Sequence, residues 1–412
     1  MTSVRVAYVL CVLTFGAGLV CCSSGGPAEP TGPRAPQNGE SDLKATKPLT
    51  DKSFPTKLSR TALRASNDNL PDDLFDAKWQ ASLSVSPVMF ARAYPGAFHA
   101  DLAQVAASSI PGDETLCFGD AHPDNFGFLQ LDGDTRFLYN DLDDAGNCAA
   151  SVDALRYFAI VRLAFGDDQL TSRLVESYVD GLKDADRLTS IDANLSPSWA
   201  DVREKGLAKA VVNDRFIPGG KDAVGAASHE LTVAVSEVIR GIPALSNAEI
   251  LDVATLDRTA GGSGGLARYW VLLNPTPGAG KGPKKTIYEL KEMATPGTER
   301  GRAAAVLDPE TRLAELKAEL WNTTTERDYL QVELLGRMFL VRNRLAKKSI
   351  DLSGLSNDDR EGVLDAQVSL LAAKHALAQG RVKKDDLRPW LLESSRVVAE
   401  RWKAFYEMSG GK

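Results

Sequence analysis

Histidine is nearly missing from this chain. Four occur, at positions 99, 122, 229 and 375, and they are too widely separated to suggest a histidine-based metal site. No dense run of lysine or arginine exists either, and the formal net charge is −7, which argues against a partner held through nucleic-acid phosphates. Long apolar runs are absent but for residues 6–20, an uncharged stretch after Arg5 that is too short for a comfortable membrane span. Cysteine is scarce: three of the five fall within the first 22 residues, which leaves Cys117 and Cys148 for the folded part. We read those two as buried free thiols, with a disulfide as the alternative in an oxidising compartment.

What is present suffices for one large domain or two lobes, since 43% of 412 residues are apolar. Residues 1–22 read as a bacterial lipoprotein signal: the apolar stretch is right for a signal core, and it runs into Leu19-Val20-Cys21-Cys22, with Cys22 the candidate lipidated residue. The expectation is an exported, membrane-anchored lipoprotein; a cytoplasmic protein follows if the signal reading is wrong. Residues 23–54 are rich in glycine, proline, serine and charge, which makes them a disordered tether.

The chemistry concentrates in two acidic loops. The first is Cys117-Phe118-Gly119-Asp120-Ala121-His122-Pro123-Asp124-Asn125, and the second is Asn140-Asp141-Leu142-Asp143-Asp144. Each follows a short apolar run that reads as a buried strand, and residues 116–139 read as a hairpin turning at Asp132-Gly133. An Asp and an Asn five apart, with a further Asp one hairpin later, can converge on a hard cation and on a hydroxyl to be activated. Taken singly, each carboxylate is more often a solvated turn residue. His122 stands in a DxH spacing with Asp120, but without companion histidines it reads as a residue that positions the loop.

Around the loops the periodicity predicts helices over 71–81, 87–92, 95–107, 151–164 (with Ser151 as N-cap), 170–185, 198–210 and 222–239. The texture then changes. Thr259-Ala260-Gly261-Gly262-Ser263-Gly264-Gly265-Leu266 is a glycine-dense turn that feeds a strand over 267–273. A loose loop over 274–285 leads to a second strand over 286–293 with Lys291 near its end, then a helix over 309–322 and strands over 329–334 and 337–342. Helices over 360–379 and 386–406 close the chain. Glycine turn, strand, lysine strand, helix and two strands is the order of a small ATP-holding lobe, in which backbone amides approach phosphates and a lysine pairs with their oxygens. The amides around Gly262, Ser263, Gly264 and Gly265 would form the cradle, and Glu315 or Glu319 would position Lys291. Alone, either motif is better explained by a hairpin glycine or an edge lysine; together, and with the acidic loops in the same chain, they point to a nucleotide site.

GDAHPDN followed by NDLDDA resembles the catalytic and metal loops of aminoglycoside-phosphotransferase-like kinases. The resemblance implies Asp120 as the catalytic residue, Asn125 and Asp141 as Mg²⁺ ligands and Asp143 as a further ligand, with ATP as cofactor. One departure is visible: Phe118 stands where that family has histidine two residues before the catalytic Asp. SPVMFARA, CFGDAHPDNFG, NDLDDA with VDALR, RTAGGSGGLARYWVLL, YELKEM and FLVRNRL look like the blocks, in order, of the bacterial domain-of-unknown-function family 2252.

In ordinary kinases the glycine loop and lysine precede the catalytic loop, whereas here they follow it. The implied fold is therefore α+β, a protein-kinase-like two-lobed fold in circularly permuted order. It would comprise a helical catalytic lobe over 55–250, a glycine-loop/lysine β lobe over 251–345 with 339–344 as hinge, and helices over 346–412 completing the first lobe. Two functions fit. One is a Mg²⁺/ATP-dependent phosphotransferase acting on an unknown hydroxyl-bearing small molecule or protein. The other is a non-catalytic, membrane-tethered binding or scaffold protein with the same fold, since an exported chain meets little ATP.

Overall fold

The computed structural model describes residues 46–411 except 184–190, 221–222, 275–284, 301–306, 309–310, 325–327 and 380–382. The signal segment, most of the tether and most of the loop read over 274–285 lie outside the described residues. The fold is α+β. Among the described residues no helix is long and apolar enough to cross a membrane. Leu49 and Phe54, inside the stretch read as tether, are buried, and the Leu49 amide donates to Ser394 Oγ at 2.9 Å. The packed chain thus begins ahead of residue 54.

Four short helices (Arg60–Ala65, Asp72–Leu83, Pro87–Arg92, Pro95–Ala103) lead into the acidic region. The third begins where expected because Ser86 accepts from the Met89 amide and Pro87 presets the first turn. The helix Ala150–Phe165 is apolar nearly all round and therefore central: residues 150–161 are all buried, against the closing helices Asn357–Gln379 and Lys384–Met408. It starts one residue before the expected cap. Ser151 is not the N-cap; its hydroxyl donates to the Pro111 carbonyl instead.

The hairpin is narrower than expected. Phe126–Leu131 pairs antiparallel with Asp134–Tyr139, and Asp132 and Gly133 take positive φ in the turn. Glu114–Cys117 pairs instead with Gly146–Ala149, on the far side of both acidic loops. Cys117 and Cys148 on these two strands form a disulfide with Cα atoms 5.8 Å apart, which corrects the reading of two free thiols.

The second half forms a six-stranded antiparallel sheet. Its order is Leu330–Leu334, Arg337–Asn343, Thr286–Glu292, Arg268–Asn274, Glu249–Leu256, Val224–Ala226. Two of these strands depart from the sequence reading. Glu249–Leu256 was not anticipated, and Val224–Ala226 lies in the span expected to be helical. The helix there starts only at His229, where Ser228 accepts from the Leu231 amide. Strand alternation sorts the sheet's two faces. Tyr288 and Leu290 pack with Val235 and Ile239 of helix His229–Gly241, while Ile287 packs with Trp270 and Leu272 on the other face. Glu289 and Lys291 share the Ile287 face, and that face looks onto the acidic loops.

Candidate functional site

The first loop is held by buried groups rather than by its own turn. Asp153, fully buried in helix Ala150–Phe165, accepts from the amides of Phe118 at 2.7 Å and Gly119 at 3.0 Å. His375 Nε2 donates to the same carboxylate at 3.3 Å, and its Nδ1 accepts from the Tyr178 hydroxyl at 2.8 Å. His99 Nε2 donates to the Gly119 carbonyl at 2.6 Å; burial pushes the His99 pKa down to about 4, so the ring is neutral. Gly119 has φ +74°, and a Cβ there would lie 1.8 Å from the Asp144 carbonyl oxygen. Only glycine lets the two loops touch. Phe118 stacks on Tyr139 with ring centroids 4.3 Å apart.

Asp120, 7% exposed, is thereby aimed at Arg156, whose Nε and Nη2 donate to Oδ1 at 2.8 and 2.5 Å. Burial alone would raise the pKa of Asp120. The Arg156 charge, with His122, overrides it and holds the carboxyl well below the usual range. Asn125 Nδ2 donates to the Asp120 carbonyl at 3.1 Å and lies 3.2 Å from the Tyr139 hydroxyl, which itself donates to the Asp120 carbonyl at 2.9 Å. The amide nitrogen of Asn125 is thus engaged, and its carbonyl oxygen remains as the ligand atom.

The second loop lies against the lysine strand. Lys291 Nζ is 3.3 Å from both carboxylate oxygens of Asp141 and forms an ion pair with Asp143. Burial would raise the Asp141 pKa, but Lys291, Lys347 and Arg342 drive it far below the ordinary value. Asp144 behaves in the opposite way: burial, and then the Asp120 charge, push it up to about 7 although the Gly297 amide donates to it at 2.8 Å. The Asp143 Oδ1 atom is buried and has no hydrogen-bond partner among the described residues. Asn125, Asp141 and Asp143 together offer only oxygen ligands, a donor set that fits a hard divalent cation.

Glu315 and Glu319 do not meet Lys291. Helix Arg312–Trp321 buries Leu313, Leu316, Leu320 and Trp321, so Glu315 and Glu319, four apart, share the exposed face; Glu315 accepts from Thr311 Oγ1 at 2.7 Å. The helix serves the site in another way. Arg312 donates to the carbonyls of Leu142, Asp143 and Ala145, and Trp321 Nε1 donates to that of Tyr139, so the helix fixes the second loop from behind. The buried glutamate of the site is Glu289, two residues before Lys291 on the same strand face. It accepts from Arg268 at 2.9 Å and from Arg342 at 2.8 and 2.7 Å, and Arg342 also lies 3.6 Å from Asp141. The alternation Glu289-x-Lys291 was the signal for it in the sequence. Lys347, which donates to the Asn140 carbonyl at 3.1 Å, had no such signal.

The glycine turn is reached only in part. Gly262 and Ser263 line the cavity, but Gly264 and Gly265 do not: their amides are taken by the carbonyls of Gly261 at 3.0 Å and Arg258 at 2.8 Å. A Cβ on Gly264 would meet the Thr259 carbonyl oxygen at 2.2 Å, and Gly265 has φ +84°, so both glycines serve the turn itself. Lys78, 1% exposed, donates to Gly262 O at 2.5 Å and Asn67 Oδ1 at 2.8 Å. Burial pushes its pKa down to about 7. An unfolded lysine keeps its proton to about pH 10.4, so above pH 7 the unfolded chain binds more protons and stability must rise with pH. Urea unfolding of wild type and Lys78→Met from about pH 7 to 10 should therefore show wild type gaining stability relative to the variant. A pH-independent difference would mean that burial does not lower the Lys78 pKa.

One cavity of about 520 Å³ is lined by Asp120, Asn125, Asp141 and Asp143 together with Lys291 and the Gly262–Ser263 turn. Fold and site define an α+β protein with a buried, oxygen-rich acidic centre closed by a basic strand. Residues 72–189 match the family described as an uncharacterized protein conserved in bacteria, domain of unknown function 2252. The matched span contains both acidic loops, Asp153 and Arg156, and ends before the glycine turn and Lys291. No curated protein and no solved structure matches the chain.

Proposed function

We propose that the protein is a Mg²⁺/ATP-dependent phosphotransferase acting on a hydroxyl-bearing acceptor, on a permuted kinase-like fold. The observation that carries this reading is the shared cavity: two acidic loops and a glycine–lysine segment more than a hundred residues later line the same space. The strand order supports it as well, with the lysine strand between the glycine-turn hairpin and the last two strands. Asp120, held ionised by Arg156, would accept a hydrogen bond from the acceptor hydroxyl and orient it. That role suits a loose phosphoryl-transfer transition state, which asks for positioning more than for a strong base. Asn125, Asp141 and Asp143 would hold Mg²⁺, which supplies charge neutralisation at the phosphate oxygens. Lys291 and the Gly262–Ser263 backbone would bind the phosphates, while Glu289, Arg268 and Arg342 keep the lysine strand in place.

The test is thermal unfolding of the full chain with Mg²⁺ and ATP; the full chain is used because a cut at residue 54 would remove Leu49 and Phe54 from the core. A Mg²⁺-dependent rise of about 3–6 °C is expected at ligand concentrations near a hundredfold above Kd. It should vanish in Lys291→Ala. No rise with any common nucleotide would end the reading.

A second reading is favoured by the Cys117–Cys148 bridge, which fits an oxidising compartment and hence an exported chain anchored at Cys22. There the same site would bind its ligand without transfer. Nucleotide binding with no consumption of ATP in the presence of candidate acceptors would select this second reading.

A further inference from the structure

A second cleft, of about 460 Å³, opens at the edge of the six-stranded sheet that ends in Val224–Ala226, and it shares no lining residue with the acidic cavity. One wall is helix His229–Gly241, which presents Thr232, Ser236 and Arg240 at successive four-residue steps and thus on one face. Ser236 is 8% exposed, and its hydroxyl makes no hydrogen bond among the described residues. Arg240 is exposed and, among the described residues, has no carboxylate partner. Arg215, across the cleft, is already committed: it donates to Asp252 at 2.9 Å, and the other oxygen of that carboxylate accepts from the Phe216 amide at 2.7 Å. The cleft therefore carries one uncompensated cation beside one unused hydroxyl, and its lining also includes Val224, Ala226 and Val253. Of six large apolar side chains exposed among the described residues, three flank this cleft without lining it: Val212 in the strand paired with Arg215–Phe216, Ile217 between the lining residues Phe216 and Pro218, and Val233 on the wall helix.

We propose that this cleft binds an anionic amphiphile, a phosphate- or carboxylate-bearing head with an acyl chain. The head would lie between Arg240 and Ser236 and the chain over the apolar rim. A guanidinium and a hydroxyl match the acceptor oxygens of such a head. A small polar anion would leave the exposed valines and isoleucine uncovered, and a neutral lipid would leave Arg240 unmatched. The volume is that of a small-molecule site. This inference is independent of the phosphotransferase reading, because it uses none of that site's residues.

The test is thermal unfolding of the full chain with dihexanoyl-phosphatidylglycerol below its micelle concentration, beside dihexanoyl-phosphatidylcholine and glycerol 3-phosphate. The expected result is a rise of about 2–4 °C with the anionic lipid alone. The rise should be lost in Arg240→Gln, an exposed position that leaves the core untouched, and in Ser236→Leu, which fills the space beside Arg240 on the wall helix. An equal rise in Arg240→Gln, an equal rise with the zwitterionic lipid, or no rise at all would overturn the proposal. A full rise with glycerol 3-phosphate would overturn it too, since the site would then read a free phosphate ester and not an amphiphile.

Discussion

Exchanging Asp120 for asparagine is expected to lower phosphoryl transfer by about 10²–10⁴-fold while Mg²⁺ and ATP still stabilise the protein. The substitution keeps the size of the side chain and removes its charge. It also has a cost outside chemistry, because Arg156 is 1% exposed and Asp120 is its anion, at 2.8 and 2.5 Å. Leaving that guanidinium buried without its carboxylate should destabilise the fold by about 3–5 kcal/mol. Transfer must therefore be measured well below the variant's unfolding midpoint. Asp120→Asn/Arg156→Met separates the two effects: removing both charges should restore much of the stability and none of the transfer. Transfer that survives in either variant, or nucleotide stabilisation lost in step with transfer, would contradict the role assigned to Asp120.

Asp153→Ala should be the most destabilising single change in the acidic region, by about 3–5 kcal/mol. Its carboxylate serves three buried donors at once: the amides of Phe118 and Gly119 and His375 Nε2. Alanine would leave all three unsatisfied in a site with no access to water. Urea unfolding would give the loss, and amide exchange would locate it at Phe118 and Gly119. A change under about 1 kcal/mol, or unchanged protection of those two amides, would mean that Asp153 does not hold the loop.

Local chemistry was legible where one residue type has few alternatives. Ser86 and Pro87 begin a helix because a cap and a preset φ act within one turn. The Asp132-Gly133 turn and the alternation of Thr286–Glu292 are equally local. Helix starts at Ser151 and at residue 222 were misread because Ser151 finds a distant carbonyl at Pro111 and because Val224–Ala226 gains a neighbouring strand, Glu249–Leu256. Propensity holds no information about either partner.

The candidate site divides along the same line. Asp120, Asn125, Asp141, Asp143 and Lys291 could be named from the sequence because oxygen ligands and a lysine in two short motifs carry their chemistry in their identity. That neither Glu315 nor Glu319 reaches Lys291 could not be read there, since both are turned outward by the burial of Leu316 and Leu320 on the same helix. Nor could the sequence tell that Gly264 and Gly265 spend their amides inside their own turn. By itself the sequence determined the kinds of groups available and their local turns, because these depend on contacts a few residues apart. Only the tertiary structure decided that Asp153 and Arg156 would steer Asp120, that Cys117 would bond Cys148, and that Lys291 would lie between Asp141 and Asp143. Those choices rest on burial and charge pairing between segments up to 150 residues apart, and such energies exist only once the chain has packed.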